Sequence, residues 1–298
     1  MNKHAYLIMA HHNQGQLRKL IELLDNERND IFVHVDRKAV GFNADEWRDV
    51  CRHSALVFLD DRIDVRWGGV SLIRCEMNLL KSAVANGEYL YYHLLSGADL
   101  PIKTQAEIHD FFDRHNGTEF INYWERNSIL KKRFNYYSPF PEGERTFITR
   151  RINHLAIKLQ RYFGYSINRD IDFRYASQWF SITDRMAKYV LSREEWIESV
   201  FKHTVLCDEV FLATVAWNSP YREYIYMKDE SSPKDANLSN MRFIDWTRGE
   251  SIRHPWTFRA DDWELLMSVP HLWARKFDEK LDPQIIDRIY NHLKTEHQ

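Results

Sequence analysis

Short apolar runs alternate with amphipathic segments along this chain, and the alternation limits its possible folds more than any other feature. Four apolar runs have the length and composition of buried strands: residues 5–10, 31–35, 56–59 and 89–95. Helical periodicity is found in the segments between and after them: residues 16–24, 71–85, 185–191, 209–216 and 282–297. Strands that alternate with helices predict an α/β fold whose mostly parallel, twisted sheet is flanked by helices.

The rest of the chain gives weaker signals. Residues 124–174 are basic and aromatic with little periodicity, residues 173–182 predict a further strand, and residues 230–239 predict a loop. Because no linker, repeat or low-complexity tract interrupts the sequence, we expect a single domain over residues 1–298. Within it, we expect a nucleotide-binding part at about 1–120 and an acceptor and catalytic part at about 121–298.

Charge and cysteine content exclude several classes of protein. The formal net charge is −2, so no global field attracts nucleic acid or an acidic membrane. Cys51, Cys75 and Cys207 are too few and too far apart for a disulfide framework or a structural zinc site. The apolar run at residues 5–10 is too short for a signal sequence or a membrane span, and we expect a cytoplasmic protein.

Polar residues follow three of the predicted strands. His11 follows the first, Asp36 the second, and residues 96–99 follow the fourth. In open α/β sheets the ligand lies beyond the carboxyl ends of the strands. These residues therefore predict one crevice of a size that suits a nucleotide.

Several catalytic motifs are absent from the sequence. It has no GxGxxG after its first strand, no GxxxxGK[ST], no HExxH and no GxSxG. Metal-dependent glycosyltransferases usually place Asp-x-Asp after an apolar strand, but residues 96–99 contribute only Asp99 there. Asp170 and Asp172 have the right spacing, yet no buried strand precedes them, and we interpret them as part of a surface loop.

Six blocks, in order, resemble the family of core-2/I-branching β-1,6-N-acetylglucosaminyltransferases and peptide O-xylosyltransferases. They are HVDRK from His34, WGGVSL from Trp67, LLSGADLPIKT from Leu94, ASQWFSIT from Ala176, DEVFLATV from Asp208 and ARKFD from Ala274. A single block would be a weak signal, but six in order along the chain are specific. The resemblance implies a GT-A-type glycosyltransferase domain of the bacterial type, an inverting mechanism and no metal requirement.

The resemblance also implies that basic side chains take the place of a metal ion beside the diphosphate. Arg253 and Lys276 match a basic pair of the branching enzymes, and Arg275 matches a phosphate contact of the xylosyltransferases. Guanidinium binds phosphate oxygens in a fork, and ammonium acts as a compact charge. Both would stabilise UDP as it leaves.

An inverting transfer needs a general base that deprotonates the acceptor hydroxyl. Glu209 aligns with the catalytic glutamate of the branching enzymes, although Glu209 and its neighbour Asp208 could instead be acids that stabilise a helix dipole. The xylosyltransferases of this family have Ser-Asp-Trp where this chain has Ser177-Gln178-Trp179, and the resemblance implies that this Asp is their base. The amide of Gln178 cannot act as a base. The WGG and ARKF blocks nevertheless favour the xylosyltransferases, so the donor sugar stays open.

The resemblance carries over further contacts. Those expected to bind the nucleotide sugar, besides the basic residues above, are Met9, Ala10, His11, Asp36, Val65, Arg66, Trp67, Gln178 and Trp179. Those expected to bind the acceptor are Glu125, Arg133 and Trp246. Asp36 could equally be a turn former and Trp67 a core residue.

The leading hypothesis is therefore a metal-independent glycosyltransferase that moves a sugar, with GlcNAc favoured, from a UDP-sugar to a glycan hydroxyl. The alternatives are a UDP-xylose-dependent enzyme, a catalytically degenerate carbohydrate-binding protein, and a metal-dependent transferase or nucleotide-sugar hydrolase that uses Asp170 and Asp172. The acceptor would be a glycan or a lipid-linked oligosaccharide. Such an acceptor would bring a cytoplasmic protein to the inner face of the membrane only transiently.

Overall fold

The computed structural model describes residues 2–123, 132–142, 146–227, 236–248 and 254–295. The strands in these ranges are β1 (His4–Ala10), β2 (Asn29–Val35), β3 (Ala55–Phe58), β4 (Tyr91–Ser96), β5 (Asp99–Pro101), β6 (Phe120–Ile121), β7 (Phe180–Thr183), β8 (Arg242–Ile244) and β9 (Trp273–Arg275). The helices are α1 (Gln14–Leu24), α2 (Val70–Asn86), α3 (Gln105–Arg114), α4 (Phe147–Tyr162), α5 (Asp184–Ser192), α6 (Glu194–Phe201), α7 (Phe211–Trp217), α8 (Ala236–Ser239), α9 (Trp263–Ser268) and α10 (Pro283–Thr295).

The main sheet has six strands in the order β3-β2-β1-β4-β7-β6. Its first four strands are parallel, and β7 and β6 continue it as antiparallel strands. The carboxyl ends of β1, β2 and β4 therefore meet at one edge of the sheet. The predicted α/β fold with a mostly parallel sheet is confirmed.

Both faces of the main sheet are buried, because successive side chains of a strand point to opposite faces. In β1, Tyr6 and Ile8 belong to an apolar layer with α1, α3 and α10. Ala5 and Leu7 belong to the layer on the other face, with α2, α5 and α7. Burial on both sides explains why these strands are continuous apolar runs in the sequence.

Hydrogen-bonding side chains begin several of the helices. Thr104 forms a capping box with Glu107 at the start of α3, and Thr183 accepts a hydrogen bond from the Met186 amide at the start of α5. Asp282 accepts hydrogen bonds from two amides of the first turn of α10. Such caps satisfy amides that the helix itself leaves without partners.

A small second sheet, β5-β9-β8, lies against the end of β4. Its register places Arg275 opposite Asp99. Buried Arg242, in β8, ties this sheet to the main one through hydrogen bonds to the carbonyl oxygens of Leu94 and Phe180, at 3.3 and 2.5 Å. Burial lowers the pKa of this guanidinium to about 9. The second sheet is what brings the carboxyl-terminal residues to the crevice.

A cluster of buried histidines lies at the opposite ends of the parallel strands. His4 and His93 are joined by a hydrogen bond of 2.9 Å between their rings, and the His93 ring also contacts the Ser181 hydroxyl at 2.7 Å. The ring of His109, on α3, packs edge-on against His4 at 4.9 Å. Burial lowers the pKa of both His4 and His93 well below the usual value.

The strand predicted at residues 173–182 is wrong for most of its length, because only Phe180–Thr183 is a strand. The backbone amides before Phe180 donate to groups that do not belong to a neighbouring strand. The amide of Arg174 bonds the Thr214 hydroxyl at 3.0 Å, and that of Ala176 bonds the carbonyl of Glu209 at 2.8 Å. Residues 171–179 are thus an irregular segment fixed by side chains and a turn.

Three other predictions need correction. Helix α4 occupies Phe147–Tyr162, where no regular element is predicted, although apolar residues recur there at helical spacing. Helix α7 begins at Phe211 instead of 209, since residues 207–210 form a turn. Within the predicted loop at 230–239, Ala236–Ser239 is a short helix, and the part before it lies outside the described residues.

Candidate active site

Hydrogen bonds join the carboxyl ends of three strands into one edge. The amide of Asp36 donates to the carbonyl oxygen of Ala10 at 2.8 Å, and the amide of Gly97 donates to that of Met9 at 2.9 Å. The segments after β1, β2 and β4 therefore meet, as predicted. Met9 and Ala10 form the floor between them.

Asp36 is buried and bound by a single lysine. Its carboxylate accepts hydrogen bonds from the amide and the ammonium of Lys38, at 2.8 and 2.9 Å. The same ammonium reaches the Asp64 carboxylate at 2.7 Å and the Val65 carbonyl oxygen at 2.5 Å. Lys38 therefore holds Val65 beside Asp36, so these two predicted donor contacts lie together.

The loop that follows carries Arg66 and Trp67. The Arg66 guanidinium pairs with Asp64 at 3.0 Å, while the Trp67 ring is 82% exposed and is no part of the core. Gly68 has a positive φ of 72°, which favours glycine. A Cβ atom on Gly69 would lie 2.6 Å from a carboxylate oxygen of Glu142. The loop therefore favours glycine at both positions of the WGG block, for backbone conformation at Gly68 and for close packing at Gly69.

His11 and His12 stack with ring centroids 3.9 Å apart. Desolvation by the surrounding protein and the charge of His12 lower the pKa of His11, against the opposing effect of Asp36. The charges of Arg275 and Lys38 also act on this imidazole. The His11 imidazole is therefore within electrostatic reach of the Asp36 carboxylate and of two cations, Lys38 and Arg275, from opposite ends of the chain.

Arg275 is held rigidly at the end of β9. Its guanidinium donates to the buried Asp99 carboxylate at 2.7 Å and to the Ser96 hydroxyl, and it lies 4.4 Å over the ring of Trp179. The Asp99 carboxylate also accepts a hydrogen bond from the Ser96 amide at 2.8 Å. Asp99 therefore orients Arg275 and is not directed at a ligand.

Lys276 follows Arg275 and lies near the start of α1. The charge of Lys276 acts on Asp278, whose carboxylate accepts a hydrogen bond from Asn13 at the start of α1. Burial raises the pKa of Asp278, but its hydrogen bonds and the nearby positive charges lower it overall. Among the residues the structure describes, the Lys276 ammonium makes no hydrogen bond or ion pair. It is therefore free to bind an anion.

Residues 175–179, the segment before β7, connect Glu209 to Arg275. The Tyr175 hydroxyl donates to the Glu209 carboxylate, and the Trp179 ring lies under the Arg275 guanidinium. Between them, the Gln178 amide nitrogen donates to Glu76 at 2.8 Å and contacts the sulfur of Met9 at 3.4 Å. One short segment therefore holds the predicted base and a predicted phosphate ligand.

Two buried carboxyl groups lie behind this segment. One carboxyl oxygen of Glu76 and one of Asp208 have no hydrogen-bond partner in the described part of the chain. Burial, and the neighbouring charge of Glu209, raise the pKa of Asp208 to about 7. Burial raises that of Glu76 well above its usual value, although the hydrogen bond from Gln178 opposes this.

Sequence reasoning missed Glu76, but a signal was present. Glu76 lies on the apolar stripe of α2, three residues after Ile73 and four before Leu80. A glutamate at such a position is either paired or neutral, because an isolated buried charge is strongly unfavourable.

Of the three residues predicted to bind the acceptor, the structure describes the side chain of Trp246 alone. Trp246 is exposed and follows β8, whose Ile244 is aligned with Arg275. Glu125, Arg253 and the side chain of Arg133 lie outside the described residues.

Asp170 and Asp172 lie on an exposed loop, and the Asp172 carboxylate pairs with Arg174 at 2.5 Å. Within the described ranges, no group of three or more His, Cys, Asp or Glu side chains is arranged to hold a metal ion.

The chain is similar to two kinds of curated protein. Human Xylosyltransferase 1 is 21% identical over 97% of this chain but only 30% of its own length. Mouse beta-1,3-galactosyl-O-glycosyl-glycoprotein beta-1,6-N-acetylglucosaminyltransferase 4 is 22% identical over 98% of this chain and 66% of its own length. The chain thus spans about a third of the xylosyltransferases and two thirds of the second relative.

Solved structures show weaker likeness. Mouse xyloside xylosyltransferase 1 in its apo form has a TM-score of 0.36 at 11% identity, over 74% of this chain and 83% of that chain. TarS of S. aureus has a TM-score of 0.29 at 11% identity, over 66% and 40%. The sequence model of the Core-2/I-Branching enzymes, in contrast, matches residues 4–266. The chain therefore belongs to the core-2/I-branching enzyme family of glycosyltransferases.

Proposed function

We propose that this protein transfers a sugar from a UDP-sugar to a glycan hydroxyl with inversion, with Glu209 as the general base and no metal ion. The observation that carries this proposal is the segment 175–179. It fixes the Glu209 carboxylate through Tyr175 and the Arg275 guanidinium through Trp179. Base and cation are thereby held on the same irregular piece of backbone, as a displacement reaction between them requires.

Glu209 suits the role of base because its carboxylate is half-buried at the turn before α7. Burial and the charge of Glu209 raise the pKa of the neighbouring Asp208, so Asp208 repels the negative charge of Glu209 less than an exposed carboxylate at the same position would. In the reaction, the acceptor oxygen bonds to the anomeric carbon and loses its proton to Glu209. The bond from that carbon to UDP breaks, and UDP leaves with the electron pair.

Arg275 and Lys276 would stabilise the departing diphosphate. The Arg275 guanidinium is already oriented by Asp99 and Ser96, so little side-chain entropy is lost when a phosphate binds beside it. The Lys276 ammonium adds a second charge without a fixed partner among the described residues. Arg253 would be a third cation, but it lies outside the described ranges. Preorganised cations of this kind support a mechanism without a metal ion.

The donor sugar is proposed to be GlcNAc, with xylose as the alternative. Both kinds of relative are about one-fifth identical to this chain, so similarity favours neither. Gln178 favours the branching-enzyme chemistry, since its amide is bound to Glu76 and cannot act as a base. The uracil and ribose would lie at Ala10, His11, Asp36 and Val65, under Arg66 and Trp67.

The acceptor is proposed to be a glycan or a lipid-linked oligosaccharide on the cytoplasmic side of a membrane. Trp246, exposed beyond β8, offers an aromatic face of the kind on which sugar rings stack. A carbohydrate-binding protein without turnover would need neither a held base nor a cation at the diphosphate. The arrangement of Glu209 and Arg275 therefore favours an enzyme over that second candidate.

Binding of UDP and its sugars tests this proposal. We expect calorimetry in EDTA to give tight UDP binding with one preferred sugar among UDP-GlcNAc, UDP-Xyl, UDP-Glc, UDP-Gal and UDP-GlcA. We expect Lys276→Ala to weaken UDP binding by about 1–3 kcal/mol, because a charge-assisted hydrogen bond is lost. Lys280→Ala, four residues further along and exposed, serves as the matched control.

Binding that appears only with Mn²⁺ would contradict the metal-free mechanism. Equal UDP affinity for the wild type and Lys276→Ala would remove Lys276 from the site. If no UDP-sugar binds, the carbohydrate-binding candidate takes precedence.

A further inference from the structure

Helix α4 is attached to the protein by a polar face. Asn153, the only buried residue of this helix, bonds both the amide and the carbonyl of Phe140 at 3.0 Å. Gln160 makes the same pair of bonds to Tyr137 at 2.8 Å. Seven residues separate Asn153 from Gln160, so both lie on one side of the helix. A helix on a protein surface normally buries its apolar face, and α4 does the opposite.

Most of the large apolar side chains of α4 face away from the protein. Five of them follow one another at intervals of four and three residues and form a single stripe: Ile148, Ile152, Leu155, Leu159 and Tyr162. These side chains are between 39% and 82% exposed, and Phe163 extends the stripe beyond the end of the helix. Contiguous exposed apolar surface of this kind marks an interaction site.

Basic residues border this stripe on one side. The helix contains four basic residues and no acidic one: Arg150, Arg151, Lys158 and Arg161. At about 100° per residue, Arg151 and Lys158 lie next to the apolar stripe. The Arg151 guanidinium is 4.1 Å over the ring of Phe147, and the Arg161 guanidinium is 5.1 Å over that of Tyr136. The whole chain, in contrast, has a net charge of −2.

From this arrangement we propose that α4 is an interfacial helix with which the protein lies on an anionic phospholipid surface. The stripe would enter the boundary between headgroups and acyl chains, and the basic residues would contact lipid phosphates. A second copy of the chain fits this face less well, because two helices with four positive charges each would repel one another. Among the described residues, no helix is long and apolar enough to cross a bilayer.

The segment under α4 continues to the candidate active site. Residues 137–140 accept the helix, and Glu142, two residues later, is bonded to the Ser71 hydroxyl at 2.8 Å. That hydroxyl accepts a hydrogen bond from the Arg66 amide at 2.9 Å. Hydrogen bonds therefore connect the segment under α4 to the loop that carries Arg66 and Trp67. A membrane bound by α4 would lie close to that loop.

Vesicle sedimentation tests this inference with the full chain. We expect the protein to sediment with phosphatidylcholine vesicles that contain phosphatidylglycerol and to remain in solution with phosphatidylcholine alone. Raising NaCl from about 0.1 M to about 1 M should release most of it, because the Debye length falls from about 10 Å to about 3 Å. No sedimentation with anionic vesicles at low salt, or equal sedimentation with both kinds, overturns the proposal.

Variants locate the contact on α4. Leu155→Gln with Leu159→Gln should lower the vesicle partition coefficient at least about tenfold. Arg151→Gln with Lys158→Gln should lower it on the order of tenfold and weaken its salt dependence. Because all four side chains are exposed, we expect unchanged melting temperatures. The matched control is Leu265→Gln with Leu281→Gln, two exposed leucines on other elements.

Two outcomes would assign the stripe differently. A loss of vesicle binding in the control as large as in the α4 variants overturns the helix assignment. Analytical ultracentrifugation that shows a dimer dispersed by Leu155→Gln and Leu159→Gln, without vesicle binding, assigns the stripe to a second copy. UDP affinity should be unchanged in every variant, so failure of this inference and failure of the proposed transfer reaction are distinguishable.

Discussion

Glu209 lies where three influences on its carboxylate meet. The Tyr175 hydroxyl donates to it, the buried Asp208 precedes it in the same turn, and α7 begins two residues later. The hydrogen bond from tyrosine fixes the direction in which this carboxylate points. A carboxylate held in this way can accept a proton from an acceptor hydroxyl that binds beside it.

We expect Glu209→Gln to lower kcat by at least about a hundredfold, the usual contribution of a general base. The amide keeps the shape of the side chain and can still bond Tyr175, so UDP affinity should change by no more than a few-fold. Steady-state kinetics together with UDP calorimetry measure both effects. Glu195→Gln, at an exposed glutamate of α6, is the matched control. Equal loss of turnover and UDP binding would show that Glu209 has a structural role.

A part-buried hydrogen bond joins α2 to the segment 175–179, beside the apolar packing of Ala176 and Trp179. The Gln178 amide nitrogen faces two acceptors, a carboxyl oxygen of Glu76 and the sulfur of Met9. Reversing the amide would place its oxygen against the thioether sulfur, which has no proton to donate. Glu76 thereby fixes the orientation of the Gln178 amide.

Gln178→Glu should destabilise the protein by about 1–3 kcal/mol at pH 8, since a buried acceptor then faces a second carboxylate. Repulsion raises the folded-state pKa of the pair above the unfolded value of about 4.3. The added carboxyl is protonated in both states at low pH, so the deficit should shrink as the pH is lowered toward 5. Urea unfolding at several pH values measures it.

The exchanged variant, Glu76→Gln with Gln178→Glu, restores one donor and one acceptor and should recover most of the lost stability. Gln284→Glu, at an exposed position on α10, should change stability by no more than about 0.5 kcal/mol. If the exchanged variant is as unstable as Gln178→Glu alone, the bond to Glu76 is not what supports this segment.

The sequence was sufficient to predict elements that bury a regular face. The strands β1, β2 and β4 and the helix α2 were found within a few residues, because both faces of the sheet require apolar runs. The irregular segment 171–179 could not be predicted, since its order depends on distant partners such as Thr214 and the Glu209 carbonyl. The apolar residues of α4 do recur at helical spacing, but the many basic and aromatic residues of this part of the chain obscure the pattern.

The same distinction holds for the site. His11 and Asp36 follow parallel strands whose carboxyl ends meet, as predicted, and Lys38 holds Val65 beside them. The roles of Asp99 and Glu76 could not be predicted, because their partners Arg275 and Gln178 are distant in sequence. Asp99 orients Arg275 only after β5 pairs with β9.

At the scale of the whole molecule, the buried histidines make stability depend on pH. His4 and His93 remain neutral in the folded chain to well below the usual pKa of about 6.5. Below that value the unfolded chain binds protons that the folded chain does not, so stability is lost as the pH falls. The raised pKa of Asp208 acts in the opposite direction between about 4 and 7.

We expect His93→Phe to reduce the slope of unfolding free energy against pH, between pH 6.5 and 5, by up to about 1.4 kcal/mol per pH unit. The readout is the slope, since loss of the bonds to His4 and Ser181 lowers stability at every pH. Urea titrations at closely spaced pH values supply it. The same change at exposed His53 should leave the slope unaltered; an unaltered slope in His93→Phe would show that His93 is not the titrating group.

The bond between Glu76 and Gln178 also restricts how this scaffold can evolve. A carboxylate introduced at 178 would arrive beside a buried acid that has lost its donor. The reverse order, in which Glu76 is first replaced by a neutral side chain, removes that conflict. A carboxylate is therefore tolerated at position 178 only after position 76 has changed, and the two substitutions are epistatic with a preferred order.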